Sequence, residues 1–203
     1  MILIGRYLSP FVRRVGVTLH WLDISFEHRS LSPAKDAANI RPFNPMNKVP
    51  ALVLDDGEIL VESTLILDHL LEITPQQTLL PASGLARRDI LQRSGIMTSA
   101  LDKSVATLYE KTKRPQEKIH QPFLETLVEQ ATAGVDQIET LIKAGRFADT
   151  SQATLADLTA AVGYRFIATT LPEVSSAQRH PKLAELSESF EATEAFQACQ
   201  FKV

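Results

Sequence analysis

Between Thr74 and Gly84 the chain changes its hydrophobic rhythm, and that change limits the folds open to it. Before this junction, short β-branched runs alternate with helical spacing; after it, only helical spacing is found. Ile2 to Tyr7 reads as a strand. Ser9-Pro10 supplies a hydroxyl N-cap and a proline at the first helical position, and Phe11, Val12, Val15, Leu19 and Leu22 follow at helical spacing to about Asp23. Phe26 to Leu31 reads as a second strand. The start of the chain is therefore a β-α-β unit with parallel strands and a right-handed crossover.

Pro33, Pro42 and Pro45 allow only a short helix or irregular loop before Val49. Pro50 to Leu54 and Ile59 to Glu62 flank Asp55-Asp56-Gly57-Glu58, a turn sequence that predicts an antiparallel hairpin. Ser63 to Ile73 is spaced for one buried helical face. Beyond the junction, helices are expected over Ala86 to about Lys113, Phe123 to about Lys143, from Thr154, and from Pro181 and Thr193. Thr154-Leu155-Ala156-Asp157 is a capping box, a hydroxyl and a carboxylate that satisfy each other's free amides, and it is read as structural. The expected fold is an α/β thioredoxin-like domain, β-α-β-α-β-β-α, over residues 1–76, a linker over 77–85, and an all-α helical bundle over 86–203.

Charge and cysteine usage narrow the partners. With 21 Lys+Arg against 24 Asp+Glu and no basic block, nothing favours a nucleic acid. No apolar run approaches the roughly 18 residues of a membrane span, and Met-Ile-Leu-Ile followed by Gly5-Arg6 does not resemble a signal peptide. A cytoplasmic protein is expected. Cys199 is the only cysteine and the five histidines lie far apart, so no metal site and no internal disulfide is expected.

Four pieces of the sequence, in order, resemble the glutathione S-transferase superfamily: Ser9-Pro10-Phe11-Val12-Arg13, Asn44-Pro45-Met46-Asn47-Lys48-Val49-Pro50, Glu62-Ser63, and Thr154 to Asp157. The first resembles in particular the bacterial serine-type transferases and more loosely the tau and zeta classes. The resemblance implies glutathione as cosubstrate, Ser9 as the catalytic residue, and Phe11, Lys48, Val49, Pro50, Glu62 and Ser63 as glutathione-binding residues. It also implies a cis Val49-Pro50 bond, a homodimer, and a small hydrophobic electrophile held by the helical domain, with Tyr109, Phe11 and the helix from Ala86 as candidates for that pocket. Asn47 stands where the family usually has glycine; asparagine tolerates left-handed geometry.

The residues allow plainer readings beside these. Ser9 as a simple N-cap is one, but a thiol delivered to it would meet a hydroxyl donor and a helix N-terminus, both of which favour the thiolate. Lys48 is either an ordinary solvated lysine or a partner for the glycyl carboxylate. Glu62-Ser63 is either a helix cap or the seat of the γ-glutamyl group, an acid beside free amides. Arg13 and Arg14 add positive potential or pack at an interface. Tyr7 is read as packing and Cys199 as a spectator thiol. The expected function is glutathione transfer; the alternatives are glutathione-dependent peroxide or disulfide reduction, isomerisation, or a non-catalytic glutathione-binding scaffold.

Overall fold

The computed structural model describes residues 1–202. Strands β1 (Ile2–Ile4), β2 (Glu27–Arg29), β3 (Ala51–Val53) and β4 (Ile59–Val61) form one mixed sheet in the order β2-β1-β3-β4. β1 pairs parallel with β2, and β3 runs antiparallel to both β1 and β4, with Leu3 opposite His28 on one side and Leu52 on the other. Helices α1 (Pro10–Trp21), the short α2 (Ala37–Ile40) and α3 (Ser63–Glu72) complete the β-α-β-α-β-β-α order. α4 (Gly84–Lys113), α5 (Gln121–Lys143), α6 (Leu155–Thr170), α7 (Pro181–Glu191) and α8 (Glu194–Gln197) follow. This is a thioredoxin-like arrangement followed by helices, as the sequence predicts.

Local chemistry sets the ends of these elements. β1 stops at Ile4, short of the expected Tyr7, because Gly5 turns out of the extended region with φ 127°. α1 ends in a Schellman motif: Asp23 takes φ 54°, its amide reaches His20 O at 3.1 Å, and the Ile24 amide reaches Leu19 O at 2.9 Å. α5 ends the same way at Gly145, φ 68°. The capping box opens α6, where the fully buried Asp157 carboxylate accepts the amides of Thr154 and Ala148, each at 2.7 Å.

The described residues cluster into two compact units, Met1–Leu79 with the chain from Ala192 onward, and Leu80–Glu191. In the first, Ile4, Ile40 and Ala51 form a core cluster joined by Ile2, Leu31, Phe43, Val49 and Val61, while α1 packs on α3 and on α8. In the second, α4 packs on α5 and α6, and α6 packs on α7, around Met97, Leu101, Val135, Ile138, Leu158 and Phe166. The sequence places all of 86–203 in one helical domain; within the first unit the last segment packs on α1 through α8. Short 3-10 turns at Gln116–Lys118 and Thr150–Gln152 fill two loops.

Candidate functional site

α1 is the hub around which the expected site residues gather. Ser9 is its N-cap, with φ −69° and ψ 120°, and its Oγ accepts the Val12 amide at 3.4 Å. That bond is long for a cap, so the hydroxyl is only loosely committed to its own helix. No acidic residue occupies the first turn of α1, which leaves the positive end of the helix dipole uncancelled beside Ser9. Pro10 is buried, and Phe11 is half-buried next to it.

One turn on, Val12 and the second segment both close on Gly5. A methyl group at Gly5 would stand 2.5 Å from Val12 Cγ2 and 2.8 Å from Val49 Cβ, so only glycine lets the end of β1, the start of α1 and Val49 come together. The loop that carries Val49 is folded by Asn44, whose side chain donates to Lys48 O at 3.1 Å and accepts the Met46 amide at 3.1 Å. Asn47 adopts φ 54°, the left-handed geometry expected of it, and its side-chain amide donates to Pro33 O at 2.9 Å. The Val49–Pro50 bond is cis. Among the described residues neither the Val49 amide nor its carbonyl takes a hydrogen-bond partner, and the Lys48 ammonium makes no ion pair.

The third segment is the start of α3. Glu62 holds φ 65° and ψ 142°, a strained conformation for a non-glycine residue. Its Oε1 accepts the amides of Thr64 and, at 3.3 Å, Leu65. Two of the amides expected to be free for a ligand are thus taken by Glu62 itself. Ser63 is buried, and its hydroxyl accepts from Arg14 Nη1 at 3.4 Å. Sequence reasoning left Arg14 open between two roles; the structure buries it completely behind this helix end, with Nε lacking any partner. Burial pushes its guanidinium down to about 10, opposed by the charge of Glu62. The only sequence signal for it was an arginine among the apolar positions of an amphipathic helix.

Tyr7, the other hydroxyl near β1, packs against β2 and α1. Its ring stacks on His28 with centroids 4.0 Å apart, and burial, reinforced by Cys199, pushes its hydroxyl far above the ordinary tyrosine range. Tyr109 lies exposed on α4, within the second unit. Among the described residues no group of three or more His, Cys, Asp or Glu side chains is arranged to hold a metal ion, and no helix is long and apolar enough to cross a membrane.

Residues 3–78 match the family model described as "Glutathione S-transferase, N-terminal domain". Over 197 residues the chain is 26% identical to an uncharacterized GST-like protein of Escherichia coli (strain K12), covering 97% of this chain and 96% of that one. It is 29% identical over 141 residues to the maleylacetoacetate isomerase of Pseudomonas aeruginosa, covering 65% of this chain and 66% of the relative. A glutathione transferase family member from Pseudomonas fluorescens Pf-5, solved with bound glutathione, superposes with a TM-score of 0.88 at 27% identity, over 100% of this chain and 99% of that one. Residues 3–78 are thus similar to the N-terminal domain of glutathione S-transferases, and over its whole length the chain is similar to members of the glutathione S-transferase superfamily.

Proposed function

We propose that this protein is a glutathione transferase of the serine type, binding glutathione along its first unit and using the bound thiolate to attack a small apolar electrophile. The observation that carries this reading is the convergence near α1: a weakly engaged Ser9 hydroxyl at the helix N-terminus, Val49 and Val12 both closing on Gly5, and Ser63 backed by the buried Arg14. Each suits one part of glutathione. The unpaired amide and carbonyl of Val49 suit the peptide backbone of the cysteinyl residue, as an added strand. Exposed Lys48 suits the glycyl carboxylate. At the γ-glutamyl end, Ser63 with the Arg14 charge behind it suits the carboxylate, and Glu62 suits the ammonium. Phe11 and Pro50 shape the floor near the sulfur.

With the thiol placed at Ser9, the serine O–H donates to the sulfur and remains protonated. A hydrogen bond to a charged acceptor contributes about 1.5–3 kcal/mol and the helix dipole about 0.3–1 kcal/mol. At roughly 1.4 kcal/mol per unit, the thiol would titrate about one to three units below its usual ~8.5, making the thiolate abundant at neutral pH. The thiolate then forms the sulfur–carbon bond while the electrophile's leaving group departs with the electron pair. The rest of the reading is a cytoplasmic homodimer engaged in detoxification.

The test is Ser9→Ala. Ultraviolet thiolate absorbance of bound glutathione, followed against pH, is expected to shift up by about one to three units; an unchanged titration overturns the role of Ser9. Calorimetry with glutathione, followed by a panel of electrophiles, peroxides and disulfides, separates transfer from reduction, and binding without turnover would mark a scaffold. The name of the P. aeruginosa relative favours one second reading, glutathione-dependent cis–trans isomerisation of a double bond, and such a substrate belongs in the same panel.

A further inference from the structure

The chain from Ala192 packs with the first unit through a few specific contacts. Arg13, on the first turns of α1 and almost fully buried, donates from Nε to Cys199 O at 2.9 Å. Its guanidinium lies 5.4 Å from the centroid of Phe196 and 5.2 Å from that of Phe201, so two aromatic rings of the last segment flank one α1 cation. Cys199 is itself buried, and its thiol stands beside the Tyr7 side chain, whose hydroxyl it helps to keep protonated. A methyl group at Gly16 would lie 2.5 Å from the Tyr7 ring and 3.2 Å from Cys199 Sγ, so the glycine opens the slot in which these two side chains meet on α1. Tyr7 is therefore held by α1 at Gly16, by the stacked His28 ring of β2, and by Cys199 of the last segment. His28 is fixed in turn by a 2.7 Å hydrogen bond to Gly5 O.

Tyr7 sits in the β1–α1 loop two residues before Ser9. The backbone of that loop is tied at its ends, Gly5 N to Arg29 O at 2.9 Å and Ser9 O to the Arg13 amide at 2.9 Å, but the Ser9 side chain makes only the 3.4 Å contact with Val12. We propose that the segment from Ala192 is a strap whose grip on Arg13 and Tyr7 fixes the β1–α1 loop, which makes Arg13 a positioning residue for the Ser9 hydroxyl. The inference rests on the proposed role of Ser9. Freed from the strap, Tyr7 loses one wall of its slot and the Ser9 rotamers spread, so the serine donates to sulfur in a smaller share of molecules. Glutathione contacts at Lys48, Val49, Glu62 and Ser63 do not touch the strap and keep their affinity.

The experiment uses the full-length chain with Arg13→Leu, and with Cys199→Ala, which leaves Arg13 and both phenylalanines in place and is the milder test of folding. Circular dichroism establishes that each variant is folded. Amide hydrogen exchange over residues 5–12 is expected to quicken in both. The bound glutathione thiol is expected to titrate about one unit higher in Arg13→Leu, giving roughly tenfold less thiolate and a comparably lower kcat at neutral pH with little change in KM for glutathione, the deficit disappearing at high pH. Arg13→Lys, which keeps one donor for Cys199 O, and Cys199→Ser, which keeps a hydrogen-bonding group beside Tyr7, should each recover most of the loss. Loop exchange and thiolate titration like the wild type in folded Arg13→Leu and Cys199→Ala would overturn the strap. If the wild type itself fails to bind glutathione, the proposed function falls, and the exchange comparison still decides whether the strap holds the loop.

Discussion

Arg14 is a full positive charge with almost no solvent contact and an orphaned Nε, an arrangement that stability alone does not reward. Its one side-chain acceptor is the Ser63 hydroxyl, and the nearby negative charge is Glu62, which is occupied in capping its own helix. Replacing Arg14 by Met keeps most of the volume and removes the charge. Such exchanges are often neutral or stabilising, so the denaturation midpoint should hold or rise. Glutathione should bind about ten- to a hundredfold more weakly, because a carboxylate loses the charge-assisted support worth about 1.5–3 kcal/mol. Calorimetry beside urea denaturation checks both halves, and wild-type affinity in the Met variant would place the γ-glutamyl carboxylate elsewhere. The same residue shows where sequence reading stops. Ser9 was legible as a helix N-cap because its signal, a hydroxyl followed by proline before an apolar stripe, is local. Arg14 was not, because its meaning depends on Ser63, 49 residues away, and on burial that no window of sequence displays.

At the scale of elements, helix ends decide most of what was readable. The Thr154 to Asp157 box, the Asp56-Gly57 turn and the Ser9-Pro10 start each carry their partners within four residues, and each forms as expected. α7 shows the opposite case. Its amides at Lys182 and Leu183 are capped from α5 by the buried Glu139, at 3.2 and 2.8 Å, and nothing in the sequence of α7 announces that partner. Burial raises the Glu139 carboxyl, but the two amides and Lys143 outweigh it and hold the group below its usual range. Asp136, one turn earlier, is also held low, where hydrogen bonds from His180 and Arg179 overcome burial. A carboxyl with a depressed folded value adds stability that is complete above its unfolded value of about 4 and is lost as pH falls through the lower folded value. Glu139→Gln should therefore cost about 1–2 kcal/mol at pH 7 and remove part of the acid sensitivity below about pH 4. Urea midpoints for wild type and variant at neutral and acid pH test this; parallel losses in both would mean that Glu139 does not carry the titration.

For the whole molecule, the division into two units gives the proposed ligand a selective target. Every residue assigned to glutathione lies in the unit formed by Met1–Leu79 with the chain from Ala192, and so does Trp21, the only tryptophan, at the end of α1. The long helices α4, α5 and α6 all belong to the other unit and dominate the circular dichroism. Fluorescence therefore follows the unit proposed to bind glutathione, and ellipticity mainly the other unit. Glutathione at about a hundred times its dissociation constant stabilises the state that binds it by about 2.7 kcal/mol. For a chain of this size each kcal/mol moves the midpoint by about 2–4 °C, so the Trp21 transition should rise by roughly 5–10 °C. The ellipticity transition should rise with it where the two units unfold together, and stay behind where they unfold separately, so the pair of curves also measures cooperativity between them. A Trp21 transition unmoved by glutathione at any concentration would remove the first unit as the binding site, and the proposed function with it.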